Sequence, residues 1–185
     1  ILLRDHKRGV FICVVKKYLQ LLRVKNYVKN FLIPFPFVFS GKFLEFDHTY
    51  ITMIIGFVAF CFMSSAVYIL NDIIDAKKDR LHPKKSKRPI ASGEVSIATA
   101  VVIAILCTLI SLISMWLLGN VMAAMFLCAY LVLNVAYSLF FKKYPVIDIA
   151  VLSLFFILRI YYGGILISVP VSVYLYLTIM SVAFM

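Results

Sequence analysis

The chain has 185 residues, 64% of them hydrophobic, and a mean hydropathy of +1.02. That excess is too large for a soluble globule of this length, and it excludes a disordered chain, which needs low hydrophobicity. The net charge of +11, from 19 Lys and Arg against 8 Asp and Glu, sits in clusters beside apolar runs, where it reads as a topology and headgroup signal rather than a nucleic-acid surface.

Along the chain, residues 11–23 place Phe11, Val14, Val15, Tyr18, Leu19 and Leu22 at helical spacing, with Lys16, Lys17, Gln20 and Arg23 mostly opposite. This is the pattern of an interfacial helix or of a long, wet entry into the first span. A first span is expected over Tyr27–Ser40, interrupted by Pro34 and Pro36. A second is expected over 51–70, then a polar segment 71–96, then spans over 97–118, 121–141 and 146–167 and a sixth from Val171. Under strict alternation, the basic residues of 1–26, of 71–96 and of Lys142–Lys143 all fall on one side, which makes that side cytoplasmic. The whole chain reads as a single membrane domain, residues 1–185. Ile1 is not an initiator Met, and Met185 stops inside an apolar segment, so a longer parent protein is expected. Cys13, Cys61, Cys107 and Cys128 show no metal-ligand spacing and read as small apolar side chains.

The informative segment is Asn71-Asp72-x-x-Asp75-x-x-x-Asp79. On a helix the three acids, at i, i+3 and i+7, share one face. Carboxylates crowded at the end of a span repel one another and resist desolvation, and a divalent cation relieves both problems. Mg²⁺ takes oxygen ligands and shares its remaining positions with water and substrate phosphates, and Asn71 adds an amide oxygen. Arg80, His82-Pro83, Lys84, Lys85, Lys87 and Arg88 follow at once. Acids and bases packed this tightly suit a diphosphate held by metal on one side and cations on the other. Lys77, Lys78 and Lys85 read instead as charges that enforce topology.

A second constellation lies further on. Asn134, Ser138 and Lys142 recur every fourth residue with Tyr137 alongside, and Asp148 and Arg159 are eleven apart on one helical face. Arg159 lies inside an apolar span, so it should face the bundle interior or a wet cavity, either as a structural tie or as a contact for an anion. Gly163-Gly164 read as close helix packing. Arg23, Asn26, Lys29 and Asn30 border the first span on the basic side.

These motifs resemble those of UbiA-superfamily membrane transferases, and the fuller pattern resembles the polyprenyl-phosphate phosphoribosyltransferase branch. The matching residues are Leu22-Arg23-x-x-Asn26-Tyr27-x-Lys29-Asn30; His82-Pro83-x-Lys85-x-x-Arg88-Pro89-Ile90; Tyr137-Ser138 with Lys142, Pro145 and Asp148; and Leu158-Arg159 before Gly163-Gly164. The resemblance implies an all-α polytopic bundle of about nine spans, about six of them present here, with a second polar motif falling beyond Met185. It implies Mg²⁺ held by Asn71, Asp72, Asp75 and Asp79, and a catalytic set of Asp72, Asp75, Asp79, Lys142 and Asp148. Substrate would meet Arg23, Asn26, Lys29, Asn30, Arg80, Lys85, Arg88, Tyr137, Ser138 and Arg159. The implied reaction moves a phosphoribosyl group from 5-phosphoribosyl 1-diphosphate to a polyprenyl phosphate, at the cytoplasmic face of a bacterial or archaeal plasma membrane. Two alternatives stay open at this point: prenyl transfer from a prenyl diphosphate to an aromatic or other small acceptor, and a non-catalytic membrane scaffold. The oligomeric state is not legible.

Overall fold

A computed structural model of the chain describes residues 14–44, 47–140 and 145–183. Within them every regular element is a helix: α1 (14–21), a 3₁₀ segment Val24–Leu32, α2 (Phe35–Phe39), α3 (Thr49–Asp79), α4 (Ile97–Leu117), α5 (Val121–Leu139), α6 (Pro145–Leu166) and α7 (Val173–Ala183). Three of the described helices, α3, α4 and α5, are long and apolar enough to cross a membrane. The protein is an all-helical membrane protein.

α4 shows why these runs become packed helices. Its inward stripe is Ala100, Ala104, Cys107, Ser111 and Met115, and the first four are small side chains that let α3 approach closely. Val102, Ile105, Leu106, Leu109, Ile113 and Trp116 are exposed, as suits a helix whose surroundings are hydrocarbon. Ser96 caps its amino end by accepting from the Thr99 N–H at 3.1 Å. Between α4 and α5 the chain reverses in three residues. Gly119 supplies the positive φ of 68° that ends α4, the conformation in which glycine carries no Cβ penalty. Asn120 Oδ1 then accepts from the Ala123 N–H at 3.0 Å and starts α5.

α3 is the central element, packing on α4, α5 and α6. One core gathers Phe60 and Met63 of α3, Leu127 and Tyr130 of α5 and Tyr162 of α6 against Ile33 and Phe37. A second gathers Leu21, Ala66, Ile69 and Ala76 with Ile90, Val95, Ala100 and Ala104.

Two expectations are corrected. The first span over Tyr27–Ser40 is not one helix: Arg23 takes the left-handed conformation (φ 52°, ψ 43°), the next nine residues wind as 3₁₀, and a five-residue helix follows Pro34. The physical reason lies in the prolines, which cannot continue an α-helical ladder, and in Asn30, which is turned into the protein interior. Conversely, the polar segment does not begin at residue 71. α3 continues for nine further residues to Asp79, so at 31 residues it is about 46 Å long, and only 80–96 is loop.

Candidate active site

The last turns of α3 carry the acids inward. Asp72, Asp75 and Asp79 are 3%, 8% and 3% exposed because they continue the same buried stripe as Ala66 and Ile69 below them. Lys77, Lys78 and Arg80 on the other faces are exposed. The loop after α3 then folds back over the acids. Pro89, Ile90 and Ala91 are buried beneath it, which anchors Arg88 where its Nη1 donates to Asp72 Oδ1 at 3.0 Å and to Asp79 Oδ2 at 2.6 Å. From the opposite side Arg23 Nη2 donates to the same Asp72 oxygen, with its guanidinium 5.1 Å from the Tyr68 ring centroid. The amino-terminal segment that delivers Arg23 is fastened by Ser65 of α3, whose Oγ donates to the Leu22 carbonyl at 2.8 Å and lies 2.7 Å from the Tyr27 hydroxyl.

Two buried carboxylates are therefore neutralised by two half-buried arginines. This is the arrangement that desolvation demands of charges at the end of a span. Asn71, beside the acids, accepts from Ser138 Oγ of α5 at 3.2 Å. The donor set is three carboxylates and one amide oxygen, all hard ligands that fit Mg²⁺ in kind. Among the described residues no three His, Cys, Asp or Glu side chains are gathered closely enough to hold a metal as they stand, and one oxygen each of Asp72 and Asp79 is bonded to arginine instead.

Behind Asn71 a cavity of about 200 Å³ enters the bundle, lined by Lys29, Tyr68, Asn134, Tyr137 and Arg159 among others. Arg159 is 4% exposed. Its Nε donates to Asn30 Oδ1 at 3.2 Å, its Nη1 to the Phe155 carbonyl at 2.7 Å and its Nη2 to the Tyr130 hydroxyl at 3.3 Å.

The structure thus brings together Arg23, Asn71, Asp72, Asp79, Arg88 and Ser138, with Asp75 on the same face, and Lys29, Asn30, Tyr137 and Arg159 around the cavity. It does not bring in every expected residue. Arg80 and Lys85 are exposed, and their side chains make no hydrogen bond or ion pair among the described residues. Asn26 instead lines a groove beside Val15 and Leu19. Lys142 and the side chain of Asp148 lie outside the described residues. Tyr68, Ser65 and Tyr130 were not singled out from sequence, where tyrosines in apolar runs read as packing or interface residues. Only the turn-by-turn spacing of Ser65, Tyr68 and Asp72 along α3 could have pointed to them.

Residues 35–185 match the family model for the UbiA prenyltransferase family. A decaprenyl-phosphate phosphoribosyltransferase of Corynebacterium glutamicum is 36% identical over 156 residues, covering 83% of this chain and 47% of that protein. The protein of the same name from Mycolicibacterium smegmatis is 33% identical over 163 residues, covering 86% and 51%. Among solved structures, a UbiA homologue from Archaeoglobus fulgidus bound to GPP and Mg²⁺ superimposes with a TM-score of 0.70 at 25% identity, covering 90% of this chain and 59% of that one. The chain spans about half the length of the curated relatives it matches.

Proposed function

The chain belongs to the UbiA prenyltransferase family, and from that premise we propose that it is part of a transferase that moves a phosphoribosyl group from 5-phosphoribosyl 1-diphosphate to a polyprenyl phosphate. The observation that carries this reading is the buried carboxylate–arginine cluster at the end of α3. The names of the relatives at 33% and 36% identity support the choice of donor.

Asn71, Asp72, Asp75 and Asp79 would hold Mg²⁺, whose chemistry there is to neutralise the diphosphate as it departs; the metal in the Archaeoglobus fulgidus homologue supports this assignment. Arg23 and Arg88 exchange carboxylate for phosphate oxygens and grip the same leaving group, the role for which a guanidinium fork is suited. Arg80, Lys85 and Asn26 would meet substrate only on its way in, and Lys142 and Asp148 complete the proposed catalytic set. The acceptor phosphate is already an anion, so attack on the ribose C1 needs no strong base. Its oxygen bonds to C1 as the C1–diphosphate bond breaks, and the charge that develops on the leaving group falls where the cations are. The polyprenyl tail lies along the lipid-facing helices.

The test is transfer of label. Membranes containing the full-length protein should place radiolabel from phosphoribosyl diphosphate in the lipid extract, and label from a prenyl diphosphate should stay out of any small acceptor. The reverse pattern would assign the same acid face to prenyl transfer.

The reading also sets an orientation, with the end of α3 and the loop 80–96 cytoplasmic. Lys42 and Ser86 lie beyond opposite ends of α3. A cysteine at Ser86 should be labelled by an impermeant maleimide only from the cytoplasmic face, and one at Lys42 only from outside. Labelling of both from one side would refute the arrangement.

A further inference from the structure

Arg159 makes three hydrogen bonds, and all three acceptors are neutral: an amide oxygen, a main-chain carbonyl and a phenol. A guanidinium has five N–H groups, so two remain for another partner. Among the described residues no carboxylate pairs with it; the ion pairs involve only Arg23, His48 and Arg88. Asp148 shares its helix but is eleven residues away, about 16 Å along the axis. The rings of Phe60 and Phe156 lie 5.8 and 5.6 Å from the guanidinium carbon, and they add attraction but no negative charge. A cation this deep in an apolar bundle calls for an anion.

The cavity it lines supplies both room and a second cation. Lys29 also lines it, exposed and without a hydrogen bond or ion pair among the described residues. About 200 Å³ is space for six or seven waters at ~30 Å³ each, enough for a phosphate with part of a sugar or the first atoms of a lipid. Asn71 forms part of the wall, and Asp79 lies eight residues further along α3, about 12 Å away along the axis. The acid face and this cavity therefore adjoin at Asn71, one suited to a diphosphate with metal and the other, with two cations and no acid among its described lining residues, to a dianion without metal.

We propose that the Arg159–Lys29 cavity is a phosphomonoester site, metal-independent and adjoining the diphosphate site at the acid face. The proposal rests on the phosphoribosyl-transfer reading, since both the 5-phosphate of the donor and the head of a polyprenyl phosphate are phosphomonoesters.

The full-length protein in nanodiscs, with EDTA present to silence the acid face, is titrated with ribose 5-phosphate and with farnesyl monophosphate, and with ribose and farnesol as phosphate-free controls. At least one monophosphate should bind, and neither control should. Lys29→Gln and Arg159→Lys should each weaken that binding at least fivefold, the second because a point charge replaces a fork, while Lys77→Gln on the exposed face of α3 leaves it unchanged. Sensitivity confined to ribose 5-phosphate assigns the cavity to the donor, and sensitivity confined to farnesyl monophosphate assigns it to the acceptor. If Arg159→Lys does not fold, the exposed Lys29 decides alone. No binding in EDTA, or binding indifferent to Lys29→Gln, overturns the site. The label-transfer experiment fails or succeeds independently, so a lost site and a wrong donor give different results.

Discussion

Asp72→Asn and Asp75→Asn in the full-length protein should each lower transfer at least tenfold, with partial recovery at raised Mg²⁺. Tenfold corresponds to about 1.4 kcal/mol of transition-state stabilisation, which is modest for a group placed as Asp72 is. One oxygen of Asp72 receives both Arg23 and Arg88. The amide keeps the volume but removes a charge from a buried cluster, so the two guanidinium groups lose a shared counter-ion and the metal loses a hard ligand. Asp47→Asn supplies the contrast. Asp47 is exposed beyond the other end of α3, where the His48 N–H at 2.6 Å holds its carboxyl below the usual carboxylate range, and its loss should leave transfer unchanged. The measurement is initial rate against Mg²⁺ concentration for the three variants. Equal behaviour of all three would show that the acid face holds no metal.

Gly163→Ala should be the most damaging small change in the bundle, lowering stability by about 1–3 kcal/mol as overpacking does. A Cβ at Gly163 would run into the Ile33 carbonyl oxygen and press on Pro36. Both belong to the broken amino-terminal segment, and Ile33 is fully buried. That carbonyl is backbone and cannot swing aside. The consequence reaches the cavity, because the Ile33 N–H bonds to the Asn30 carbonyl at 2.9 Å and the Asn30 side chain receives Arg159. Gly56 is the control: a Cβ there would meet only the branched end of Leu166, which can move. Thermal unfolding in detergent should therefore rank Gly163→Ala well below Gly56→Ala. Equal melting temperatures would refute the close approach of α6 to the segment around Ile33.

What the sequence made legible, and what it hid, follows from these contacts. α4, α5 and α6 start and stop within two residues of expectation, because Ser96, Gly119-Asn120 and Pro145 are local signals that act without tertiary help. The acid face was legible because three carboxylates at i, i+3 and i+7 fall together on any helix. The continuation of α3 through them was not, since Asn71–Asp79 is as polar as a loop until Arg88 folds back and neutralises it. The stretch Tyr27–Ser40 failed for the opposite reason. Its apolar composition fits a span, but its shape depends on where Asn30 finds partners, in Ser64 and Arg159, and those lie 34 and 129 residues away. Arg159 was visible as a buried charge, yet its neutral cradle was not, because Tyr130 carries no mark that separates it from the other tyrosines.

The length of α3 has a consequence for the lipid. At about 46 Å the helix outruns a hydrocarbon layer of about 30 Å by some three turns, and those are the turns that carry Asn71 to Asp79. The depth of the carboxylates is thus set by bilayer thickness and not by the protein alone. A thicker membrane draws Asp72 toward the acyl chains and raises the cost of each uncompensated charge, whereas a thinner one leaves the cluster among headgroups and water. Hydrophobic mismatch, with the tilt it induces, becomes a dial on the acid face, and acyl-chain length should tune it as surely as a substitution beside the site.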